Sequence, residues 1–244
     1  LAFRQAFELL GNKMHRQGIT DLANKSTTEE IRKRFDNDVE RFTKLETGQS
    51  ATIDAPLAME LITRAAVAST RTISRTLDLG CGAGNYAVWL ATQGFQVTGV
   101  DISPKALELA QQLAVKKDVS CRFLVADLLG NLSELEDSFD FAYDWEVLHH
   151  VFPENRGRYV ANVHRILRRG GRYLTVCFSE NDTSFGQKGK YRRTPLGTTL
   201  YYSSERELRD LFEPIFTIEE LSTIEIAGKY TPHLAVKALL VKSE

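Results

Sequence analysis

The chain has 244 residues, 43% hydrophobic, 26% charged and 9% aromatic, with 16 Gly and 6 Pro, which excludes collagen-like, disordered and disulfide-scaffold classes. Lys and Arg total 31 against 32 Asp and Glu, a formal charge of −1, and this disfavours nucleic acid, whose binders usually carry a basic excess or stripe. Cys81, Cys121 and Cys177 follow no metal or redox spacing, no charged segment leads into an apolar one, and no apolar run nears the ~20 residues that cross a bilayer. The expectation is a reduced, cytoplasmic compartment and no membrane.

Residues 1–70 form an N-terminal helical cap. Phe3, Phe7 and Leu10 recur at helical spacing, and Ser26-Thr27-Thr28-Glu29 offers a capping box for a helix near 28–44. A third helix starts at Asp54, with Pro56 in its first turn and Leu57, Leu61 and Ile62 on its buried side.

Residues 71–244 change pattern. Short apolar strands at 74–79, 96–100, 121–126, 139–143 and 171–178 alternate with helices at 84–93, 104–115 and 155–168, an order that predicts βαβ units and a parallel sheet. Ser103-Pro104 caps the second of these helices, and Gly94 and Gly170-Gly171 mark helix ends. Residues 179–202 are polar, without period, and are expected to be a lid or acceptor loop. A capped helix follows near 204–212, then two apolar stretches, 215–226 and 233–242, predicted as an antiparallel pair at the sheet edge.

The richest segment is Thr76-Leu77-Asp78-Leu79-Gly80-Cys81-Gly82-Ala83-Gly84-Asn85. It leaves a strand, turns on three glycines and enters a helix, so the turn can take unusual dihedrals and a ligand can approach the backbone. Asn85 stands where the dinucleotide fingerprint G-x-G-x-x-G needs glycine, which opposes a nicotinamide-dependent oxidoreductase. The second strand ends in Asp101, placed to accept both ribose hydroxyls of an adenosine ligand, and the third in Asp127, placed to accept from an exocyclic adenine amine. Each carboxylate alone serves equally as a cap or turn anchor. Together they converge on the carboxyl edge of a parallel sheet, where ligands of such folds bind.

On these residues the sequence resembles the class I S-adenosylmethionine-dependent methyltransferases. Leu77 through Gly84 are similar to that family's first motif, Val100-Asp101-Ile102-Ser103 to the second, Ala126-Asp127-Leu128 to the third, Phe139-Asp140 through Val151 to the fourth, and Val163 through Gly171 to the helix-to-strand motif that follows. The resemblance covers about 72–178; Arg169 departs from it where the family usually has proline. It implies a three-layer Rossmann-like α/β fold, mostly parallel and seven-stranded with an antiparallel last strand, and S-adenosyl-L-methionine as methyl donor, with S-adenosyl-L-homocysteine as product. It further implies a donor site made by Asp78, Gly80, Cys81, Gly82, Asp101, Ile102, Asp127 and Leu128, with Asp144 and Trp145 near the sulfonium; Tyr86, just past the glycine turn, is placed to contact the donor or equally to join the core.

Candidate proton acceptors cluster at Glu146, His149 and His150. A helix starting near Trp145 would place Glu146 and His150 on one face at i, i+4, with His149 beside them. His149 stands where related quinone-pathway methyltransferases carry the second acid of a metal-binding Glu-x-x-Glu-His, so no metal is expected; a packing role competes for each histidine. Phe185, Tyr191, Tyr201, Tyr202, Lys188, Lys190, Arg192 and Arg193 equip 179–202 to hold a planar or anionic small molecule, or to be a solvated lid. The expected function is methyl transfer to the O, N or S nucleophile of a small-molecule acceptor, driven by positioning with a histidine base. The alternative is a regulatory protein that binds the donor or its product without catalysis.

Overall fold

The computed structural model describes residues 32–37, 55–69, 75–136, 138–183, 189–194, 198–228 and 231–243. The helix expected around Phe3, Phe7 and Leu10 lies outside these residues, and of the one near 28–44 the described part, 32–37, is helical. The expected third helix is α1 (Ala55–Ser69), which buries Ala58, Ile62, Ala65 and Ala66 at helical spacing.

The sheet strands are β1 (Arg75–Leu79), β2 (Gln96–Asp101), β3 (Cys121–Val125), β4 (Phe139–Trp145), β5 (Leu167–Phe178), β8 (Phe216–Ile226) and β9 (His233–Lys242), in the order β3-β2-β1-β4-β5-β9-β8. Pairing is parallel from β3 through β5, while β9 runs antiparallel between β5 and β8. The last strand is therefore antiparallel as expected, but it sits inside the sheet, and β8 forms the edge. Helices α2 (Asn85–Thr92), α3 (Pro104–Lys116) and α4 (Pro153–Ile166) are the crossovers, and α5 (Glu205–Phe212) precedes β8. One face of the sheet packs Tyr159, Val160 and Val163 of α4 with Leu208 and Phe212 of α5. The other packs Ile62 and Ala66 of α1 with Ala87 and Leu90 of α2. Central β4 is buried along its whole length, because both faces are covered.

Two expectations are corrected. Gly170-Gly171 does not end a helix: α4 stops at Ile166 and β5 begins at once, with a register shift opposite Phe139–Phe141. A Cβ on Gly171 would lie 2.8 Å from the Arg168 carbonyl oxygen and 3.2 Å from those of Phe139 and Asp140, so close backbone approach selects glycine there. Residues 179–202 are not without structure either. β6 (Tyr191–Arg193) and β7 (Thr199–Tyr201) pair antiparallel in a small sheet of their own.

Candidate functional site

The turn after β1 is built from backbone. Gly80, Gly82 and Gly84 all have positive φ, at 74°, 52° and 79°, and the amides of Gly80 and Cys81 donate to the Val100 carbonyl at 2.7 and 3.0 Å, fastening the turn to β2. Two of the glycines also serve packing. A Cβ on Gly80 would come within 2.6 Å of Val147 Cγ2, and one on Gly84 within 2.7 Å of Ala110 Cβ. Buried Cys81 sits behind the turn, where its Sγ lies 2.7 Å from the position of a Cβ on Gly99.

Gly82 faces Asp101. Its amide donates to Asp101 Oδ2 and the Ser103 amide to Oδ1, both at 2.9 Å. Burial raises the Asp101 pKa, and the amides of Ser103, Gly82 and Ile102 oppose that rise. Ser103 caps α3, its Oγ accepting from the Ala106 amide at 3.0 Å and donating to Asp36 Oδ1 at 2.5 Å. The 32–37 helical turn is thereby brought to the same edge. After β3, Asp127 Oδ1 accepts from the Leu129 amide at 2.9 Å, and half-buried Leu128 packs against the core. Asn162 of α4 holds this loop, donating to the carbonyls of Leu128 at 2.8 Å and Gly130 at 3.1 Å. Asp78 is buried next to Tyr143, whose phenol pKa is pushed well up by burial and by that carboxylate. Half-buried Tyr86 lies 6.3 Å, ring to ring, from Trp145.

Asp144 is a correction. Side chains alternate along β4, so Asp144 points under α4 while Tyr143 and Trp145 point to the opposite face. Its Oδ1 accepts from Thr175 at 3.0 Å and the Leu148 amide at 3.3 Å, and its Oδ2 accepts from Tyr159 at 3.0 Å and from Tyr173. Burial pushes its pKa up to about 6 despite these donors. With both oxygens engaged, Asp144 anchors the end of β4.

The helical face assumed for Glu146, His149 and His150 is also corrected. β4 runs on to Trp145, Glu146 takes a positive φ of 65°, and only a 3₁₀ turn, Leu148–His150, follows. His149 is 2% exposed and stacks on Phe178 at 4.6 Å, with His150 4.7 Å away. His150 meets Phe35 edge-on at 5.4 Å. Burial lowers both histidine pKa values, His149 well below its usual range and His150 to about 3, with Arg156 adding to the first and Arg34 to the second. Both rings are neutral near pH 7 and weak as proton acceptors. Among the described residues, no three His, Cys, Asp or Glu side chains gather as a metal site.

Basic side chains fasten the segments beyond the turn, and of these the sequence patterns did not single out Arg156. Buried Arg156 donates from Nε to the Val151 carbonyl at 2.8 Å, from one terminal nitrogen to the Leu148 carbonyl at 3.1 Å and from the other to Ser203 Oγ at 2.8 Å. Buried Arg192 donates to the carbonyls of Gly189 at 2.8 Å, Glu180 at 2.6 Å and Asp182, and lies over the Tyr202 ring at 4.0 Å. Lys190 joins Glu180 and Glu207, each at 2.5 Å. In the sequence Lys190 and Arg192 read either as groups that hold an anionic small molecule or as solvated charge on a lid, and the fold shows Arg192 buried.

The edge fits an adenosine-bearing donor. An ionised carboxylate has about four acceptor positions and no donor; three backbone amides oppose the burial of Asp101, so a ribose hydroxyl, which is a donor, suits what remains. Tyr86 and Leu128 flank that edge with apolar surface.

Comparison with known proteins agrees. Residues 76–171 match the sequence model of a family described as methyltransferase domain. A 27-O-demethylrifamycin SV methyltransferase of Amycolatopsis mediterranei is 36% identical over 51% of this chain and 46% of its own length. An S-adenosyl-L-methionine-dependent Diels-Alderase of Talaromyces variabilis is 35% identical over 50% and 42%. The chain thus spans about half the length of these curated relatives. The structure of a Burkholderia thailandensis 1,6-didemethyltoxoflavin-N1-methyltransferase, holding its substrate and S-adenosylhomocysteine, aligns with a TM-score of 0.66 over 90% of this chain and 92% of that one, at 23% identity. That alignment carries the fold. Among the described residues, no helix is long and apolar enough to cross a membrane.

Proposed function

We propose that this chain, whose residues 76–171 match a methyltransferase-domain family, is a class I S-adenosylmethionine-dependent methyltransferase that transfers the donor's methyl group to a small-molecule acceptor. The family uses S-adenosylmethionine, which supplies an electrophilic methyl on a sulfonium. The observation that carries the reading is one sheet edge holding three things at once: the positive-φ turn at Gly80–Gly84, Asp101 bound to the Gly82 amide, and Asp127 with Leu128 after the next strand. Asp101 would hold the ribose, Asp127 and Leu128 the adenine, and the Gly80–Gly82 backbone the amino-acid end. Trp145, Tyr86 and the His149–His150 turn would border the acceptor.

Positioning is the proposed source of rate. Holding a nucleophile in line at near-attack distance and excluding water are the large terms for such a transfer. The neutral, weakly basic rings of His149 and His150 suit walls better than bases, which favours a thiol, an amine or an ionised oxygen as acceptor. Calorimetry with S-adenosylhomocysteine and NAD is the first test, and binding of NAD alone would overturn the donor assignment. Release of S-adenosylhomocysteine with a panel of small acceptors is the second. If His149→Ala then lowers kcat by about 10²–10⁴-fold at unchanged donor affinity, that ring takes a proton after all.

The relative named a Diels-Alderase favours a second reading, in which the donor is bound and its methyl is not transferred. Tight S-adenosylmethionine binding with no product from any acceptor would support it.

A further inference from the structure

We propose that Arg156 is a positioning residue of the acceptor side, holding the His149–His150 turn and the β6–β7 hairpin as one unit. The proposal rests on the reading above, in which these two elements border the acceptor.

The geometry is a fork with three prongs. Two N–H groups grip the carbonyls of Leu148 and Val151, which bracket the two histidines, and the third reaches Ser203 across 47 residues of sequence. The Val151 amide itself donates to the Leu148 carbonyl at 3.1 Å, so Arg156 closes around a formed turn. Ser203 lies where the hairpin returns to the sheet. Its amide donates to the Phe178 carbonyl and its carbonyl accepts from the Glu180 amide, each at 2.9 Å. Tyr201 of β7 lies face-on to the guanidinium at 4.6 Å and donates to Glu207 at 2.7 Å. Phe178, the strand residue that Ser203 grips, is the ring on which His149 stacks. Both routes from the hairpin, through the guanidinium and through Phe178, end at His149.

Energetics argue that this arginine does more than fill space. It is 5% exposed, and among the described residues no carboxylate pairs with it. A buried charge without a counter-ion is costly, and a neutral side chain of similar volume would pack there at less cost. A planar guanidinium offers donors at fixed angles, which fits holding two carbonyls and a hydroxyl in one relative position.

The test uses amide exchange and the nuclear magnetic resonance signal of the His149 ring, neither of which needs an acceptor. In Arg156→Met, the amides of His150 and Val151 in the turn and of Tyr202 and Ser203 at the hairpin should lose protection together, by about 10–150-fold. The amides of Gly80 and Cys81 should keep theirs, and S-adenosylhomocysteine affinity should change less than about twofold. Ser203→Ala, which leaves both carbonyl grips intact, should still shift the His149 ring signal in the same direction, and should add nothing in the double variant. Arg156→Lys should recover part of the turn's protection and stands in if the methionine variant does not fold. Loosening of one segment alone, a uniform loss that includes Gly80 and Cys81, or a His149 signal indifferent to Ser203→Ala would each overturn the proposal. Failure of the wild-type chain to bind S-adenosylhomocysteine would instead sink the donor-site reading, and the exchange pattern would still decide the coupling.

Discussion

Around the glycine turn, structure is made by backbone: amides of Gly80 and Cys81 on the Val100 carbonyl, the Gly82 amide on Asp101, and a loop end tied by Asp127 to Leu129. Across β4, around His149, it is made by long side chains: Arg156 spanning to Ser203, Arg192 reaching Gly189 and Glu180, and Lys190 between two glutamates. The first region fixes its geometry within short segments and neighbouring strands. The second fixes it by side-chain contacts that range from 3 positions apart at Arg192–Gly189 to 47 at Arg156–Ser203. On the proposed function, this division would set a backbone-built donor side against an acceptor side built by side chains.

The comparison can be broken at its strongest point first. Gly82→Val puts a branched side chain at φ 52°, where β-branched residues are strained, and on the surface a donor would cover. S-adenosylhomocysteine binding should be lost by calorimetry while far-ultraviolet circular dichroism stays native; normal binding would move the donor away from this turn. Asp101→Ala should weaken the same affinity by about 10–150-fold, the range for one charge-assisted hydrogen bond. An unchanged affinity in the folded variant would remove Asp101 from the site. On the other side, Tyr173→Phe strips one donor from buried Asp144. It should cost about 1–3 kcal/mol, a drop of about 2–12 °C in Tm, with donor affinity held within twofold. A large loss of affinity would return Asp144 to the cofactor.

The smallest effect is a pH dependence with two opposing parts. The folded-state pKa values of His149 and His150 lie below 6.5, so as pH falls below 6.5 the unfolded chain takes up protons that the folded chain refuses, and stability drops, for His150 down to about pH 3. The folded-state pKa of Asp144 is raised to about 6, so between about pH 3.8 and 6 the folded chain holds the extra proton and stability rises as pH falls. The two histidines act against Asp144 and against Asp101, whose pKa burial also raises. Urea midpoints should fall from pH 6.5 to 5, and replacing both histidines with phenylalanine should flatten or invert that slope.

The glycine turn, its facing acid and the capped helix were legible in the sequence because their signals are local. Three glycines after an apolar run, an acid at the end of the next run and Ser103-Pro104 opening a helix can be read within a few residues of one another. The antiparallel pairing of the last two strands was legible for the same reason, though the position of β9 inside the sheet was not. The wrong face assigned to Glu146 and His150 came from extending a helix through a segment where Glu146 takes a left-handed backbone, a conformation that no pattern around it announces. Asp144 misled because an acid at a strand end reads the same whether it faces the cleft or three hydroxyls beneath a helix. Arg156 was not singled out, and Arg192 read equally as a ligand-holding or a solvated group, because burial of an arginine is set by the fold around it.

The placement of β9 bears on the order in which the molecule assembles. Until residues 233–242 are available, β8 has no sheet neighbour and the apolar outer edge of β5 is unpaired. Unpaired edges of that kind are where chains associate wrongly. The hairpin waits as well, since the Ser179 amide donates to the Leu234 carbonyl and the Leu234 amide to Asp182, each at 2.9 Å. During synthesis the five parallel strands and their glycine turn can form while the other half of the cleft still lacks its wall. A donor bound at that stage would act as a folding ligand, stabilising the early half before the late half exists.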